Sequence, residues 1–428
     1  MRITGMSDLS IADVARVDLD RVDLFDSELY VSGDPHLVWA AMRARAPLHR
    51  QVLPDGRAFW SVTRYQDACR VLGNHREFTS EQGSLLSQLG HGDAAAGKML
   101  VATDPPRHTE LRMPLRRLFS GHAISMSEKR IRQAVRSALR PARETEVWDV
   151  AQQVAMLPMA VAGALMGIPE QDWSDLVRWT AMATAPEDSE YLVASSGATL
   201  AIAHHELFEY FSREVRVRVG TEGDDVIRHL MRMPVGDSTL TRDEVVVNCY
   251  SVLLGANATT PHTIAGTVLA LMENGDQFRV AYKDPAIVPT LVEEGLRWTS
   301  AASSFLRHAV DTIELGGGQV EPGDAVAVWV GSANRDESVF ADPYCFDANR
   351  ADNRHIAFGF GPHYCLGASV ARLTLRIFFE EFIQLIKEIE PAGPPRHLKS
   401  NFVAGLTHLP VRTLIRTDAT KPRDWPGR

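Results

Sequence analysis

One long helical segment constrains the fold of this chain more than any other part of its 428 residues. The stretch TRDE, from Thr241 to Glu244, has the spacing of a capping box, in which a threonine and a glutamate close the first turn of a helix. Helical periodicity then continues to about Gly275. A helix of about 33 residues is roughly 50 Å long, so we expect it to cross a whole domain through its centre.

The middle of this helix is predicted to kink. The run GANATTP, residues 255–261, collects weak helix formers and a proline in about one turn. Pro261 has no N–H and its ring clashes with the carbonyl of Asn257, so the helix should bend or open there. The small residues leave space beside the kink and the two threonines supply hydroxyls. A tolerated kink in a core helix and a functional opening both remain compatible with these residues.

Composition excludes several classes of protein. The net charge is −9, whereas nucleic-acid binders usually carry a basic surplus. The cysteines lie far apart and form no CxxC pair, so neither a disulfide framework nor a zinc site is predicted, and a reducing cytoplasm fits. The four are Cys69, Cys249, Cys345 and Cys365.

The chain is expected to be unanchored and mainly α-helical, with small β-sheets. Its N-terminus does not resemble a signal peptide, and no apolar run reaches the roughly 18 residues that span a bilayer. Helical periodicity dominates residues 128–232 and 241–272, and the predicted strands are short: 59–63, 312–315, 325–330 and 409–415. We expect one domain over residues 1–428, with a lead-in at about 1–33.

The stretch FGFGPHYCLG, residues 358–367, surrounds a cysteine with glycines. Glycines allow a tight loop whose N–H groups point at the sulfur, and such hydrogen bonds favour a thiolate. The helix predicted to follow, LGASVARLTLRIFFEEFIQLIKEI, adds its dipole, and Phe358 can shield the sulfur from water. A soft anionic ligand without a second thiolate nearby suits haem iron, since the porphyrin supplies four further ligands.

The same stretch resembles the haem-binding signature of the cytochrome P450 superfamily, F-x-x-G-x-[HR]-x-C-x-G. All fixed positions are filled, by Phe358, Gly361, His363, Cys365 and Gly367. EEGLR matches the family's ExxR motif through Glu294 and Arg297, and Arg350 falls where the family places the third member of that network. As an ordinary surface pair, Glu294 and Arg297 would contribute a few tenths of a kcal/mol; the family implies a buried structural network instead.

The resemblance covers about residues 34–412 and is closest to soluble bacterial members. It implies a single triangular domain of mainly helical structure, with haem b (iron protoporphyrin IX) between the long central helix and the cysteine-loop helix. It makes Cys365 the axial iron ligand, with Phe358 and Gly359 in the cofactor loop. It also implies haem propionate contacts from His108, Arg112, Arg307, His355 and His363.

The family's chemistry is oxidation of a small molecule, most often by inserting one atom of O2. Its proton relay is A-G-x-[DE]-T, but this chain has the alcohol Thr259 and Ala258 in place of the acid. Three interpretations follow: an oxygenase in which water, Asn257 or substrate replaces the acid; an enzyme of oxidative coupling or cyclisation; or a reaction without O–O cleavage, as in nitric oxide reductases of the family. A peroxide-driven enzyme and a non-catalytic haem-binding sensor are further alternatives.

Family analogy also outlines a pocket and partners. The loop 83–99 is expected to be a mobile access loop. The predicted pocket residues are Leu85, Leu86, Leu254, Ala258, Ala302, Phe305 and Leu406. The chain has no flavin or iron–sulfur motif, so a separate ferredoxin and ferredoxin reductase are expected to supply electrons. A basic patch for their docking is predicted at Arg116, Arg117, Arg372 and Arg376. The substrate, in secondary-metabolite biosynthesis, is either free or presented by a carrier protein.

Overall fold

The fold is dominated by helices, and the computed structural model describes residues 11–119 and 127–416. The first ten residues, on which the prediction about a signal peptide largely depends, lie outside the described residues. The described helices are α1 Ile11–Arg16, α2 Leu29–Ser32, α3 Pro35–Arg45, α4 Tyr65–Gly73, α5 Arg107–Leu118, α6 Glu128–Ala138, α7 Pro141–Glu144, α8 Val150–Val154, α9 Leu157–Met166, α10 Trp173–Thr184, α11 Ser196–Arg218, α12 Val226–Arg232, α13 Arg242–Asn257, α14 Thr260–Glu273, α15 Gly275–Lys283, α16 Val288–Thr299, α17 Val330–Ala333 and α18 Ala368–Leu385.

The strands are short and form small sheets, as the sequence predicted. They are β1 Leu48–Val52, β2 Ala58–Val62, β3 Phe78–Thr79, β4 Val147–Asp149, β5 Pro234–Val235, β6 Ser238–Thr239, β7 Ser304–Ala309, β8 Ile313–Leu315, β9 Gly318–Val320, β10 Ala325–Trp329, β11 Ile386–Pro391, β12 Arg396–His397, β13 Leu406–His408 and β14 Pro410–Ile415. The largest sheet has the order β1-β2-β10-β7-β3, and β2 and β10 are its parallel pair.

The long central helix consists of α13 and α14, which meet at the predicted kink. Thr241 caps α13, and its hydroxyl and the Glu244 carboxylate form the reciprocal contacts of a capping box. Ala258 and Thr259 separate the two helices, and Pro261 stands in the first turn of α14. The proline is therefore tolerated because a new helix begins just before it. Helices α9, α11 and α12 pack on α13, and α8, α16 and α18 pack on α14.

Two segments differ from the sequence-based prediction. The helix after the cysteine loop ends at Leu385, and 386–391 form β11, which pairs antiparallel with β14. Ladder hydrogen bonds with β14 therefore outweigh the helical periodicity of this stretch. In the segment 301–305, for which no strand was predicted, residues from Ser304 onward form β7, which lies between β10 and β3 in the sheet.

The described part of the lead-in packs against the body of the chain. Leu24 is buried in a hydrophobic cluster with Trp39 and Trp329, and its backbone N–H donates to the Gln51 side chain. None of the described helices is both long enough and apolar enough to span a membrane.

Candidate active site

The cysteine loop is a tight turn pressed against α4. The Cys365 N–H donates to the Phe358 carbonyl at 2.8 Å, and a one-turn helix spans Gly361–His363. Gly361 has φ +73°, and a Cβ on it would lie 2.5 Å from the Cα of Gly73. No side chain fits there, so the loop depends on glycine for both its conformation and its contact with α4.

The thiol of Cys365 is accessible within the fold, and opposing effects act on it. Burial raises the pKa of Cys365, while the Gly367 N–H, Arg112 and Arg372 favour the thiolate. The sequence predicted that the loop would lower this pKa, but in the protein alone the loss of hydration is the larger effect. A buried thiolate is stable when it binds a metal cation, so the site fits a ligand to iron.

Four cationic or potentially cationic side chains gather beside this loop. The rings of His108 and His363 are 4.3 Å apart, and Arg112 donates to the backbone carbonyl of Tyr364. Arg307, on β7, is buried, and within the described residues its guanidinium makes one hydrogen bond, to the neighbouring Leu306 carbonyl. We call His108, Arg112, Arg307 and His363 the cation cluster.

The electrostatics of the cation cluster favour an anion beside it. Burial, then the charges of Arg307 and His108, lower the pKa of His363 to about 2. Burial and Arg112 likewise lower the pKa of His108 to about 4, and burial lowers that of Arg307 to about 10. The Nε2 atom of His108 is buried without a hydrogen-bond partner. Haem propionates carry the negative charge and the acceptors that such a cluster lacks, so these residues fit haem b.

His355 does not join the cation cluster, although the resemblance placed it among the propionate contacts. Its Nε2 lies 3.1 Å from Glu293, and its Nδ1 accepts from the Ala357 N–H. Arg372 binds both oxygens of Glu293 at 2.7 and 2.8 Å and lies over the Phe358 ring, 4.6 Å from its centroid. His355 is therefore occupied in an ion network behind the cysteine loop.

Glu294, Arg297 and Arg350 form one buried network. Arg297 donates to both Glu294 oxygens at 2.7 Å, and both side chains are 0 % exposed. Arg350 adds a third contact at 3.1 Å. The two arginines also donate to backbone carbonyls of the 334–345 segment, such as Asn334 and Ala341. The network thereby ties α16 to the segment that leads into the cysteine loop.

The side chains at the helix kink point in different directions. Ala258 is buried in a small apolar cluster with Ala185, Leu398 and Val403. The Asn257 amide contacts the Met159 sulfur at 3.3 Å on α9, and its oxygen has no partner. Asn257 is thus committed to the helix packing and is a poor replacement for the missing acid. Gly255 is exposed, and nothing lies within 4 Å of the position its Cβ would take, so the helix borders open space there.

Only part of the predicted pocket wall surrounds open space. Leu85, Leu254 and Phe305 are partly exposed, and Ala302 pairs with Val403 in an isolated β-bridge. Leu86 and Leu406 are instead 1 % and 4 % exposed and belong to two hydrophobic cores. Their apolar character alone could not separate core from pocket.

Several contacting residues were absent from the sequence-based prediction. Ser80 Oγ lies 3.2 Å from His363 Nε2, and Asp104 lies 4.0 Å from the same atom. Phe402 packs against Phe305 with the ring centroids 6.4 Å apart. An acidic residue just before a cation-rich helix, as in DPPRH, was a usable signal for Asp104; Ser80 and Phe402 carried none.

Comparison with known proteins identifies a family. The model of the family described as Cytochrome P450 matches residues 286–408. Cytochrome P450 NovI of Streptomyces niveus is 31 % identical over 402 residues, which cover 93 % of this chain and 98 % of that protein. A putative cytochrome P450 126 of Mycobacterium tuberculosis is 33 % identical over 413 residues, 92 % of this chain and 97 % of that one. The crystal structure of P450 OxyD, involved in the biosynthesis of vancomycin-type antibiotics, superposes with a TM-score of 0.82 and 32 % identity, covering 92 % of this chain and all of that one.

Proposed function

This chain belongs to the cytochrome P450 family, and we propose that it is a haem-thiolate enzyme that oxidises a small molecule in secondary-metabolite biosynthesis. The observation that carries the proposal is one arrangement: the accessible thiol of Cys365 lies in a tight loop beside a cation cluster in which His108 Nε2 is buried without a hydrogen-bond partner. The structural neighbour from antibiotic biosynthesis, which covers nearly the whole chain, supports the metabolic class.

The proposed assignment of the cofactor residues follows from the site. Cys365 would be the axial ligand of haem b, and the cation cluster would hold the propionates. Bound in this way, haem supplies the activation of O2 with two electrons and two protons and the transfer of one oxygen atom to a substrate C–H bond. Oxidative coupling or cyclisation would use the same residues.

The chain's own contribution to proton delivery centres on Thr259. Its backbone carbonyl accepts from the N–H and hydroxyl of Thr263, whereas within the described residues its own hydroxyl has no hydrogen-bond partner. It is therefore free to hold a water or a substrate group. Ala258 has no ionisable group, and the Asn257 amide faces Met159. We therefore propose that water or a substrate group takes the place of the family's acid and supplies the proton through the Thr259 hydroxyl.

Electrons would come from a ferredoxin and its reductase. Arg116 and Arg117 are exposed at the end of α5. Arg376 lies 3.7 Å from Glu380, and Arg372 is bound to Glu293. The proposed docking patch thus rests mainly on Arg116 and Arg117, because the other two cations are paired within the chain. A carrier protein that presents the substrate remains an alternative to a free small molecule.

The first experiment compares Cys365→Ser with Cys345→Ser, a matched change at a second exposed cysteine. We expect only Cys365→Ser to lose the long-wavelength Soret band of the ferrous–CO complex, with unchanged far-UV circular dichroism. Survival of that band would overturn the assignment. Titration of the ferric protein with metabolites from the source organism then tests the substrate. A high-spin shift would identify a free small molecule, and its absence would favour a carrier-bound one.

A further inference from the structure

Residues 185–195, between α10 and α11, pack against the kink of the central helix, and we call this segment the lid. Ala185 and Tyr191 of the lid pack in the same apolar cluster as Ala258. The turn 398–403 completes this cluster with Leu398 and Val403. Movement of the lid away from this turn would uncover the kink, so the contacts that fasten the lid govern access to the proposed active site.

Most fastenings of the lid do not involve histidine. Asp188 is 3 % exposed and accepts hydrogen bonds from the backbone N–H of Lys399 at 2.8 Å and of Glu190 at 2.9 Å. The Ser400 hydroxyl donates to the Thr184 carbonyl at 2.8 Å. These contacts hold the start of the lid, and they leave the Glu190 side chain to be fastened separately.

Glu190 is fastened by His408. The Nδ1 atom of His408 lies 2.8 Å from Asp149 Oδ2, and its Nε2 lies 3.4 Å from Glu190 Oε2. Asp149 is held in place by the N–H groups of Leu409 and Gln152, at 3.0 and 3.2 Å. Glu190 receives one further bond, from the Gln152 amide at 3.2 Å. One imidazole thus stands between a fixed carboxylate and a carboxylate on the lid.

A neutral imidazole cannot satisfy both carboxylates. It carries one N–H, and the shorter contact with Asp149 places that hydrogen on Nδ1, so a lone pair on Nε2 would face Glu190. An imidazolium keeps the hydrogen bond to Asp149 and also presents a positive charge to Glu190, whose Oε2 lies within ion-pair distance at 3.4 Å. Arg396 is opposite His408 in the β12–β13 pairing, and its guanidinium lies 4.0 Å from Asp188. On α14, His262 makes its hydrogen bond to the Leu406 backbone. The lid contact therefore depends on the proton of His408.

We propose that His408 is a proton-controlled clasp of the lid: protonated, it holds Glu190 and adds to the contacts that keep residues 185–195 closed, and on losing its proton it gives up this contact so that the lid opens more often. The inference rests on the proposed function, because the lid matters for regulation only if the kink borders a ligand site. His408 and Glu190 are 35 % and 28 % exposed, so water reaches the clasp.

Hydrogen exchange of residues 185–195 tests the clasp without any ligand. The haem-loaded protein is compared at about pH 5.5 and about pH 8, the range in which histidines change charge, after correction for intrinsic exchange rates. We expect protection to fall roughly three- to fivefold at the higher pH, as for a partly exposed ion pair. His408→Gln and Glu190→Gln should remove the change, and His205→Gln, at an exposed histidine on α11, should keep it. Equal corrected protection at both pH values would overturn the clasp.

A second measurement connects the clasp to the site. Stopped-flow binding of 4-phenylimidazole to the ferric protein gives an association rate, and the Glu190→Gln variant in the same buffers corrects for titration of the probe. We expect the ratio of wild-type to variant rate to rise with pH towards one. A constant ratio would overturn the clasp. If no azole spectrum forms at any pH, the proposed function fails instead, and hydrogen exchange alone decides whether His408 holds the lid.

Discussion

Replacing Glu294 by glutamine tests how burial makes a common helical ion pair costly to break. The Glu294 carboxylate accepts two bonds from Arg297 and one each from Arg350, Asn353 and the Asp347 N–H. Glutamine keeps the shape but removes the charge and turns an amide donor towards guanidinium donors. Loss of one partner of a buried ion pair costs about 3–5 kcal/mol, which corresponds to about 3–6 °C in apparent Tm for a chain of 428 residues.

The chain contains a matched control for this change. Asp276 and Arg279 have the same i,i+3 spacing on α15, but their side chains are 84 % and 69 % exposed. Asp276→Asn should therefore alter stability by less than about 0.5 kcal/mol, and Asn353→Ala, which removes one hydrogen bond, by about 1 kcal/mol. Thermal and urea unfolding followed by circular dichroism, at equal haem content, measures all three. A shift for Glu294→Gln no larger than that for Asp276→Asn would refute the reasoning.

Three further outcomes are expected. Ala258→Asp should leave ferredoxin-driven O2 consumption unchanged or slower and lower the apparent Tm relative to Ala258→Ser, because its carboxyl would enter an apolar cluster; faster consumption would contradict this. Burial alone would raise the pKa of Glu293, but hydrogen bonds from Arg372 and His355 lower it to about 2. The contribution of the Glu293 carboxylate to folding stability is therefore complete above about pH 4.5 and is lost as pH falls towards 2. Glu293→Gln should accordingly flatten the pH dependence of the unfolding free energy there by about 1–3 kcal/mol, and parallel curves would argue against it. Arg116→Glu should slow reduction by ferredoxin at low salt and not at high salt, measured by stopped-flow under CO; equal rates for variant and wild type at low salt would remove Arg116 from the docking surface.

The sequence predicted those helices and strands whose boundaries depend on residues that are close together in the chain. The capping box at Thr241, the break before Pro261 and the short strands near 325–330 and 409–415 follow from backbone chemistry within a few residues, and the structure has them. The predicted end of α18 was wrong by several residues. The residues beyond Leu385 form β11 because they pair with β14, and helical periodicity contains no information about such a partner.

The direction of side chains was the part of the site that could not be predicted. Motif spacing placed Asn257 beside Thr259, but whether its amide faces the opening or α9 depends on the packing of Met159. His355 is similarly drawn away by Glu293, which a family motif for haem contacts does not include. Patterns within the sequence thus proposed the members of the site, while contacts with other elements, the Met159 sulfur and the Glu293 carboxylate, determine where Asn257 and His355 point.

The seating of the cysteine loop has a consequence for how the protein is made. Its contacts join segments that are far apart in the sequence: His363 contacts Ser80, 283 residues away, and Tyr364 contacts Arg112, 252 residues away. The N-terminal third completes its contacts with the loop only after residues near 365 have been synthesised, so these contacts form late in the making of the chain. Expression that outpaces haem supply should therefore accumulate full-length chains that are folded around an incomplete centre, rather than truncated ones.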